Sequence, residues 1–215
     1  MDAEPIPLPG QYRVSTVRRI TTYEFAAMDA ATSANLVRRS IIVGDVFASD
    51  SPALVATVLG SCVAACMYDP VARIGGMNHF MLPQANRETT SAAFGIHAME
   101  LLINRIMRLG GDRRRLQAKV FGGANVLAFQ GAELQIGQRN VAFVRQFLQD
   151  EGIALAAQRV GGNQGVKLCF ETSTGRALVK PLPNRLLDET IQQEVQYLRQ
   201  SKSAATQAAD AVTLF

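Results

Sequence analysis

Short apolar runs separated by turn residues dominate the chain from residue 40 onwards. Residues 40–43 and 53–59 are β-type runs rich in Val, Ile and Leu. Two further apolar stretches, residues 60–68 and 73–83, flank the turn signal Asp69-Pro70. Two apolar runs joined by such a turn predict a β-hairpin.

Apolar residues at helical spacing mark two segments further along the chain. Residues 91–109 carry an apolar stripe that ends at the helix stop Gly110-Gly111. Residues 140–150 repeat the pattern before Gly152. The first stripe consists of Met99, Leu102, Ile103 and Ile106, and the second of Val141, Val144 and Leu148. Further strands are predicted at residues 118–121, 153–160, 166–173 and 176–180, and a terminal helix at residues 187–199.

These elements predict an α+β fold with α/β-type layers. We expect a mixed, largely antiparallel sheet with hairpins, packed against two or three helices. Residues 1–38 are rich in Pro, Ala, Thr and Arg with weak periodicity, which indicates an N-terminal arm or tail. The predicted compact domain spans residues 39–182, and residues 183–215 form a C-terminal helix and tail.

Composition narrows the class of protein. Hydrophobic residues make up 48% of the 215 residues and the net charge is only +4, which favours a packed core. The Arg clusters lack interleaved aromatic residues, so nucleic-acid binding is not predicted. Residues 51–68 carry no charge, but polar Thr57 and the Gly60-Ser61-Cys62 segment interrupt the run, which favours buried strands over membrane insertion. The first residues lack the pattern of an export signal, so we expect a cytoplasmic protein.

The three cysteines, Cys62, Cys66 and Cys169, cannot all pair within the chain. In a reducing cytosol at least one is free to do chemistry. A free cysteine in an apolar run is usually a small core residue. Cys62 differs because it follows Gly60-Ser61, which permits an irregular backbone and the close approach of a substrate.

A histidine is predicted to lie across the hairpin from Cys62. A turn centred on Pro70 and Val71 would place His79 directly opposite Cys62, on the same face of the hairpin. A thiol beside an imidazole is the activated nucleophile of acyl-transfer enzymes. A lone strand histidine is more often structural. The other histidine, His97, lies beside the apolar stripe of the first predicted helix, which favours a packing or surface role.

Zinc binding is the competing interpretation of Cys62, Cys66 and His79, because their spacing matches three ligands of a zinc finger. The fourth ligand should follow His79 after a gap of three to five residues. The residues at those positions, Pro83, Gln84 and Ala85, are not ligand types. We therefore predict no metal site.

Gly122-Gly123 follows a predicted strand. It lacks the further glycines and the Lys-Ser/Thr of phosphate-binding loops, so a nucleotide site is not favoured. We interpret the pair as close backbone packing beside the site.

Several motifs in order resemble one known family. They are Leu59-Gly60-Ser61-Cys62-Val63-Ala64, Gly75-Gly76-Met77-Asn78-His79-Phe80-Met81-Leu82-Pro83, Ala98-Met99-Glu100-Leu101-Leu102-Ile103-Asn104, Lys119-Val120-Phe121-Gly122-Gly123-Ala124-Asn125 and Ile136-Gly137-Gln138-Arg139-Asn140. Through them, residues 40–180 resemble CheD, the chemoreceptor glutamine deamidases.

The resemblance implies a cysteine-dependent hydrolase without a cofactor. It would convert glutamine side chains of methyl-accepting chemotaxis receptors to glutamate, releasing ammonia. It implies Cys62 as nucleophile, His79 as base and a threonine shortly before the cysteine, for which Thr57 is the candidate. Strict strand alternation would face Thr57 away from Cys62.

Backbone groups are expected to complete the site. We expect Gly60, Ser61, Gly122 and Gly123 to bind the substrate or its developing oxyanion.

The resemblance also implies partners in chemotaxis signal transduction. The receptors are the expected substrates, and a CheC-type phosphatase is a candidate partner because the family engages such proteins in some bacteria. The alternative function is a non-catalytic module of the same fold that binds a signalling protein. The presence of both Cys62 and His79 favours the enzyme.

Overall fold

The computed structural model describes residues 15–16, 36–82, 88–126, 136–183 and 188–200, with the backbone alone for residues 15–16 and 88–91. Most of the predicted N-terminal arm and all of the tail after residue 200 lie outside these ranges. The strands are β1 (Ser15–Thr16), β2 (Val37–Ser40), β3 (Val46–Ser49), β4 (Ala53–Leu59), β5 (Val63–Asp69), β6 (Ile74–Asn78), β7 (Gln117–Gly122), β8 (Ala154–Val160), β9 (Val166–Glu171) and β10 (Ala177–Pro181).

The strands of the described residues form two mixed sheets. The larger sheet has the order β1-β8-β7-β5-β6-β3, and the smaller has the order β10-β9-β4-β2. Antiparallel pairs predominate, while β1 with β8, β7 with β8, and β2 with β4 are parallel. The predicted α+β class, with a largely antiparallel arrangement, is confirmed.

In the described ranges, three α-helices accompany the sheets: α1 (Glu88–Arg108), α2 (Ile136–Asp150) and α3 (residues 188–200). A short 3₁₀ turn covers Arg113–Arg115. The apolar stripes of α1 and α2 pack on one face of the larger sheet, in a cluster with alternate β5 residues such as Val63 and Met67. The other residues of β5 face the smaller sheet, so a second core lies between the two sheets. Helix α3 packs against this second core through Leu198, Ile191 and Val195.

Three strands differ from the predicted pattern. One is β1, which lies in the predicted N-terminal arm. The predicted strand at residues 40–43 lies earlier, at β2, where all four residues are exposed and pair with β4. Strand β3 was not predicted, because it has only four residues and each is partly exposed, so no alternation of buried and exposed positions marks it.

The β5–β6 hairpin has a longer turn than predicted. The turn contains four residues, Pro70 to Arg73, and Asp69 pairs with Ile74. The fully buried Asp69 carboxylate accepts hydrogen bonds from the N–H groups of Val71 and Ala72 at 2.9 and 3.1 Å. This side chain organises the wider turn, in which Arg73 has a φ of 58° and its N–H donates to the Asp69 backbone carbonyl at 2.8 Å. The predicted two-residue turn was therefore wrong.

No helix in the described ranges combines the length and hydrophobicity that a membrane crossing requires.

Candidate active site

The segment from Gly60 to Cys62 carries the chain from one sheet to the other. It follows β4 of the smaller sheet and precedes β5 of the larger one. Cys62 lies at its end with no solvent exposure, in the core between the sheets. All three cysteines are free and buried, so no disulfide bond occupies the Cys62 thiol.

His79 lies on the same side of the larger sheet as Cys62. The wider turn places Val63 opposite Phe80, so Cys62 does not lie directly opposite His79 as the two-residue turn predicted. The register shift is two residues, and a shift by an even number keeps each side chain on its face. The alternate residues Met77 and Met81, which flank His79, indeed belong to the same inter-sheet core as Cys62.

Thr57 reaches His79 from the smaller sheet. Its Oγ1 atom lies 2.8 Å from His79 Nδ1 and 2.8 Å from the Ile41 carbonyl oxygen. The carbonyl can only accept, so the hydroxyl donates to Ile41 and accepts from Nδ1–H. This arrangement assigns the proton to Nδ1 and leaves Nε2 as the basic nitrogen. The expectation that alternation would turn Thr57 away was wrong, because Thr57 and Cys62 lie on different sheets.

The thiol and the imidazole are both neutral in this conformation. Burial lowers the pKa of His79 to about 3. Burial is also the main cause that raises the pKa of Cys62 well above its ordinary value, followed by the charge of the nearby Glu194 carboxylate. Nε2 of His79 is buried without a hydrogen-bond partner among the described residues. The hydrogen-bonded Cys62–His79 pair expected of an activated thiol is therefore not formed here.

Three consecutive backbone N–H groups converge beside the thiol. Those of Gly60 and Cys62 donate to Glu194 Oε1, each at 3.1 Å, and that of Ser61 donates to Oε2 at 3.0 Å. The Ser61 hydroxyl adds a fourth bond to Oε2 at 2.5 Å. A Cβ atom at residue 60 would lie 2.8 Å from Val126 Cγ2 and 2.9 Å from Oε1, so a larger residue there would displace one of these side chains. Such a cluster of donors suits a negatively charged oxygen.

Gly122 and Gly123 support this segment from behind. Both have positive φ values, 100° and 67°, and a Cβ atom at Gly122 would lie 2.2 Å from the Cys62 carbonyl oxygen. The N–H of Gly123 donates to that same carbonyl at 2.7 Å. Gly122 and Gly123 were predicted to contact the substrate or oxyanion, whereas in this conformation they hold the backbone of Cys62.

Comparisons with known proteins show which family the chain belongs to. The family described as CheD chemotactic sensory transduction matches residues 81–181. A protein of Cereibacter sphaeroides named probable chemoreceptor glutamine deamidase CheD is 47% identical over 150 residues, which cover 69% of this chain and 74% of the relative. The chain belongs to the CheD family.

Other family members show similar likeness. Proteins of the same name from Rhizobium leguminosarum bv. trifolii and Methylobacillus flagellatus are 46% and 40% identical to this chain. The matches cover 66% and 84% of this chain and 78% and 91% of the relatives. Among solved structures, the hypothetical protein YfiH of Bacillus licheniformis is 19% identical with a TM-score of 0.37, over 55% of this chain and 50% of its own. That structural likeness is too low to support an inference.

Two residues of this CheD-family site were not predicted from the sequence. Asn140, fully buried on α2, donates to the Ser61 carbonyl and accepts from the Leu82 N–H, each at 2.9 Å. It thereby ties the cysteine segment to the chain just after His79. The other is Glu194 on α3, the partner of the three N–H groups. A carboxylate within the apolar stripe of a helix was the available sequence signal.

The remaining candidates lie apart from the site. Cys66 is buried, its pKa is raised by desolvation, and it pairs with Met77 on β6. His97 is exposed on α1. Within the described part of the chain, no group of three or more His, Cys, Asp or Glu side chains is arranged to hold a metal ion.

Proposed function

We propose that this protein is a chemoreceptor glutamine deamidase. The reaction is hydrolysis of a glutamine side-chain amide to glutamate and ammonia. Membership of the CheD family and the names of the relatives support this activity. The observation that carries the mechanism is the Thr57–His79 hydrogen bond, which leaves Nε2 as the base on the face that Cys62 shares.

The first half of the reaction forms a thioester. Cys62 gives its proton to Nε2 of His79, and the sulfur attacks the carboxamide carbon. The carbonyl oxygen becomes an oxyanion, which the N–H groups of Gly60, Ser61 and Cys62 are placed to stabilise. Collapse of this intermediate breaks the C–N bond, and His79 protonates the departing ammonia.

The second half consumes one water molecule. His79 takes a proton from water, and the hydroxide attacks the thioester carbon. The C–S bond breaks, Cys62 recovers its proton and the glutamate side chain is released. Thr57 holds the ring while it gains and loses charge, the orienting role that the third member of a catalytic triad fulfils.

The proposed setting is the cytoplasm, with chemoreceptors as substrates. A CheC-type phosphatase stays a candidate partner that the family resemblance predicts. Neither role requires a cofactor.

The decisive experiment compares Cys62→Ala with Cys66→Ala on a cytoplasmic chemoreceptor fragment. Mass spectrometry of each glutamine-containing peptide detects the amide-to-acid mass shift. We expect Cys62→Ala to abolish deamidation. Cys66→Ala should retain it, because Cys66 lies four residues further along β5, away from the Gly60-Ser61-Cys62 segment and its N–H groups. Deamidation by Cys62→Ala at the rate of the unmodified protein would contradict the mechanism. Receptor binding without any deamidation would instead support the non-catalytic module.

A further inference from the structure

The C-terminal helix places a carboxylate in the proposed oxyanion site. Glu194 is only 2% exposed, and its two oxygens receive four hydrogen bonds from Gly60, Ser61 and Cys62. Its side chain ends in the group that deamidation of a glutamine produces. The contact therefore has the chemistry of an enzyme holding its own product.

The burial of Glu194 is specific rather than incidental. Ile191, Val195 and Leu198 lie one helical turn or less from it and pack against the inter-sheet core. A carboxylate in such a stripe loses its hydration, which is unfavourable unless donors replace the water. The backbone of the cysteine segment supplies those donors, and the Gly60 position leaves room for Oε1.

The helix also covers the nucleophile. The Cys62 thiol is fully buried. Tyr197 of α3 lies close enough that Cys62 contributes, after burial, to the raised pKa of the phenol. A substrate amide cannot reach the thiol or the three N–H groups while Glu194 occupies them.

We propose that α3 is an autoinhibitory helix whose Glu194 side chain acts as an intrachain product mimic. The helix must leave the site, at least through Glu194, before a receptor glutamine can bind. This inference rests on the proposed function for the identity of the displaced ligand. The closure of the site is inferred independently, from the four hydrogen bonds to Glu194 and the burial of Glu194 and Cys62.

Two matched substitutions in the full chain test the closure. Glu194→Ala removes the carboxylate, and Glu189→Ala makes the same change at an exposed position of α3. Binding that requires a minor open state has an apparent affinity reduced by the open fraction. Glu194→Ala should therefore lower the KM for the receptor fragment by about tenfold or more, with kcat retained, since one net charge-assisted hydrogen bond is worth that factor. Alkylation of Cys62 should accelerate in parallel, and Glu189→Ala should change neither value.

A second variant tests the position of the side chain. Glu194→Gln places a carboxamide beside the thiol, so the chain should deamidate itself once and release one ammonia per chain. Peptide mass spectrometry should show conversion at residue 194 at a rate independent of protein concentration. Conversion should be absent when Cys62→Ala is combined with Glu194→Gln, and residue 189 in Glu189→Gln should remain an amide.

The outcomes separate this proposal from the proposed function. Unchanged KM and unchanged Cys62 alkylation in a folded Glu194→Ala protein that still deamidates the receptor would overturn the autoinhibitory helix alone. So would an amide that persists at residue 194 in a Glu194→Gln chain that deamidates the receptor. Faster alkylation of Cys62 in Glu194→Ala, without deamidation of any amide, would support the closure of the site by α3 and contradict the proposed deamidase activity.

Discussion

The hydrogen bond between Thr57 and His79 makes Thr57→Val the most informative substitution at this site. Valine keeps the shape of threonine but removes the hydroxyl that accepts from Nδ1–H and donates to the Ile41 carbonyl. Both remaining groups are buried. Each buried group without a partner costs about 1–3 kcal/mol, so the loss of both bonds should lower the free energy of unfolding by about 2–6 kcal/mol.

The effect on catalysis should exceed what lost stability explains. His79 becomes positively charged as it takes the proton of Cys62, and a hydrogen bond to a charged donor is worth about 1.5–3 kcal/mol. Since about 1.4 kcal/mol corresponds to a tenfold change in rate, kcat should fall roughly 10- to 150-fold. The KM for the receptor fragment should change little, because Thr57 contacts the histidine and not the substrate.

The assay follows ammonia release at a temperature where the folded state of each variant is fully populated. Thr57→Ser is the matched control, since serine retains a hydroxyl at the same atom and should keep most of the activity. Wild-type kcat in folded Thr57→Val would refute the orienting role. Equal losses in Thr57→Ser and Thr57→Val would show that shape, and not the hydroxyl, is what matters.

Two further predictions concern stability. Asn140→Ala should lower the free energy of unfolding by about 2–6 kcal/mol in urea titrations, because the Ser61 carbonyl and the Leu82 N–H lose their partner. An unchanged midpoint would contradict this. His79 has a folded-state pKa of about 3 against 6.5 for the free side chain, so the unfolded state binds the extra proton. Stability should therefore be complete above pH 6.5 and fall as the pH drops, by about 2 kcal/mol at pH 5. His79→Asn should remove this slope between pH 6.5 and 5, and His97→Asn, at an exposed position, should leave it intact.

The sequence was sufficient to predict most strands and helices, because their apolar periodicities are long and bounded by turn residues. The hairpin register was not predictable in the same way. The register depends on the Asp69 carboxylate, which accepts hydrogen bonds from the N–H groups of Val71 and Ala72 in a four-residue turn. A side chain that caps a turn changes the turn length without changing the apolar pattern on either side. The prediction that Cys62 and His79 share a face held only because the register shift was an even number of residues.

The position of Thr57, the third residue of the site, could not be predicted from the alternation of side chains along one strand. Alternation relates residues of a single continuous strand, whereas Thr57 and Cys62 are separated by a crossing between sheets. After such a crossing, both side chains can face the same core. The packing of the two sheets brings Thr57 to His79. This packing cannot be predicted from the periodicity of either strand.

The placement of Glu194 connects the chemistry of the site to its closure. A carboxylate spreads one negative charge over two oxygens and matches all four donors of the Gly60-Ser61-Cys62 segment. A neutral carboxamide has only one acceptor oxygen, and its amino group would face donors. The site therefore binds the ground-state amide less well than an anion. When the oxyanion forms, the donors again face a negatively charged acceptor. This difference favours catalysis, because it acts in the transition state. It also means that any accessible carboxylate competes with the substrate, and α3 carries one.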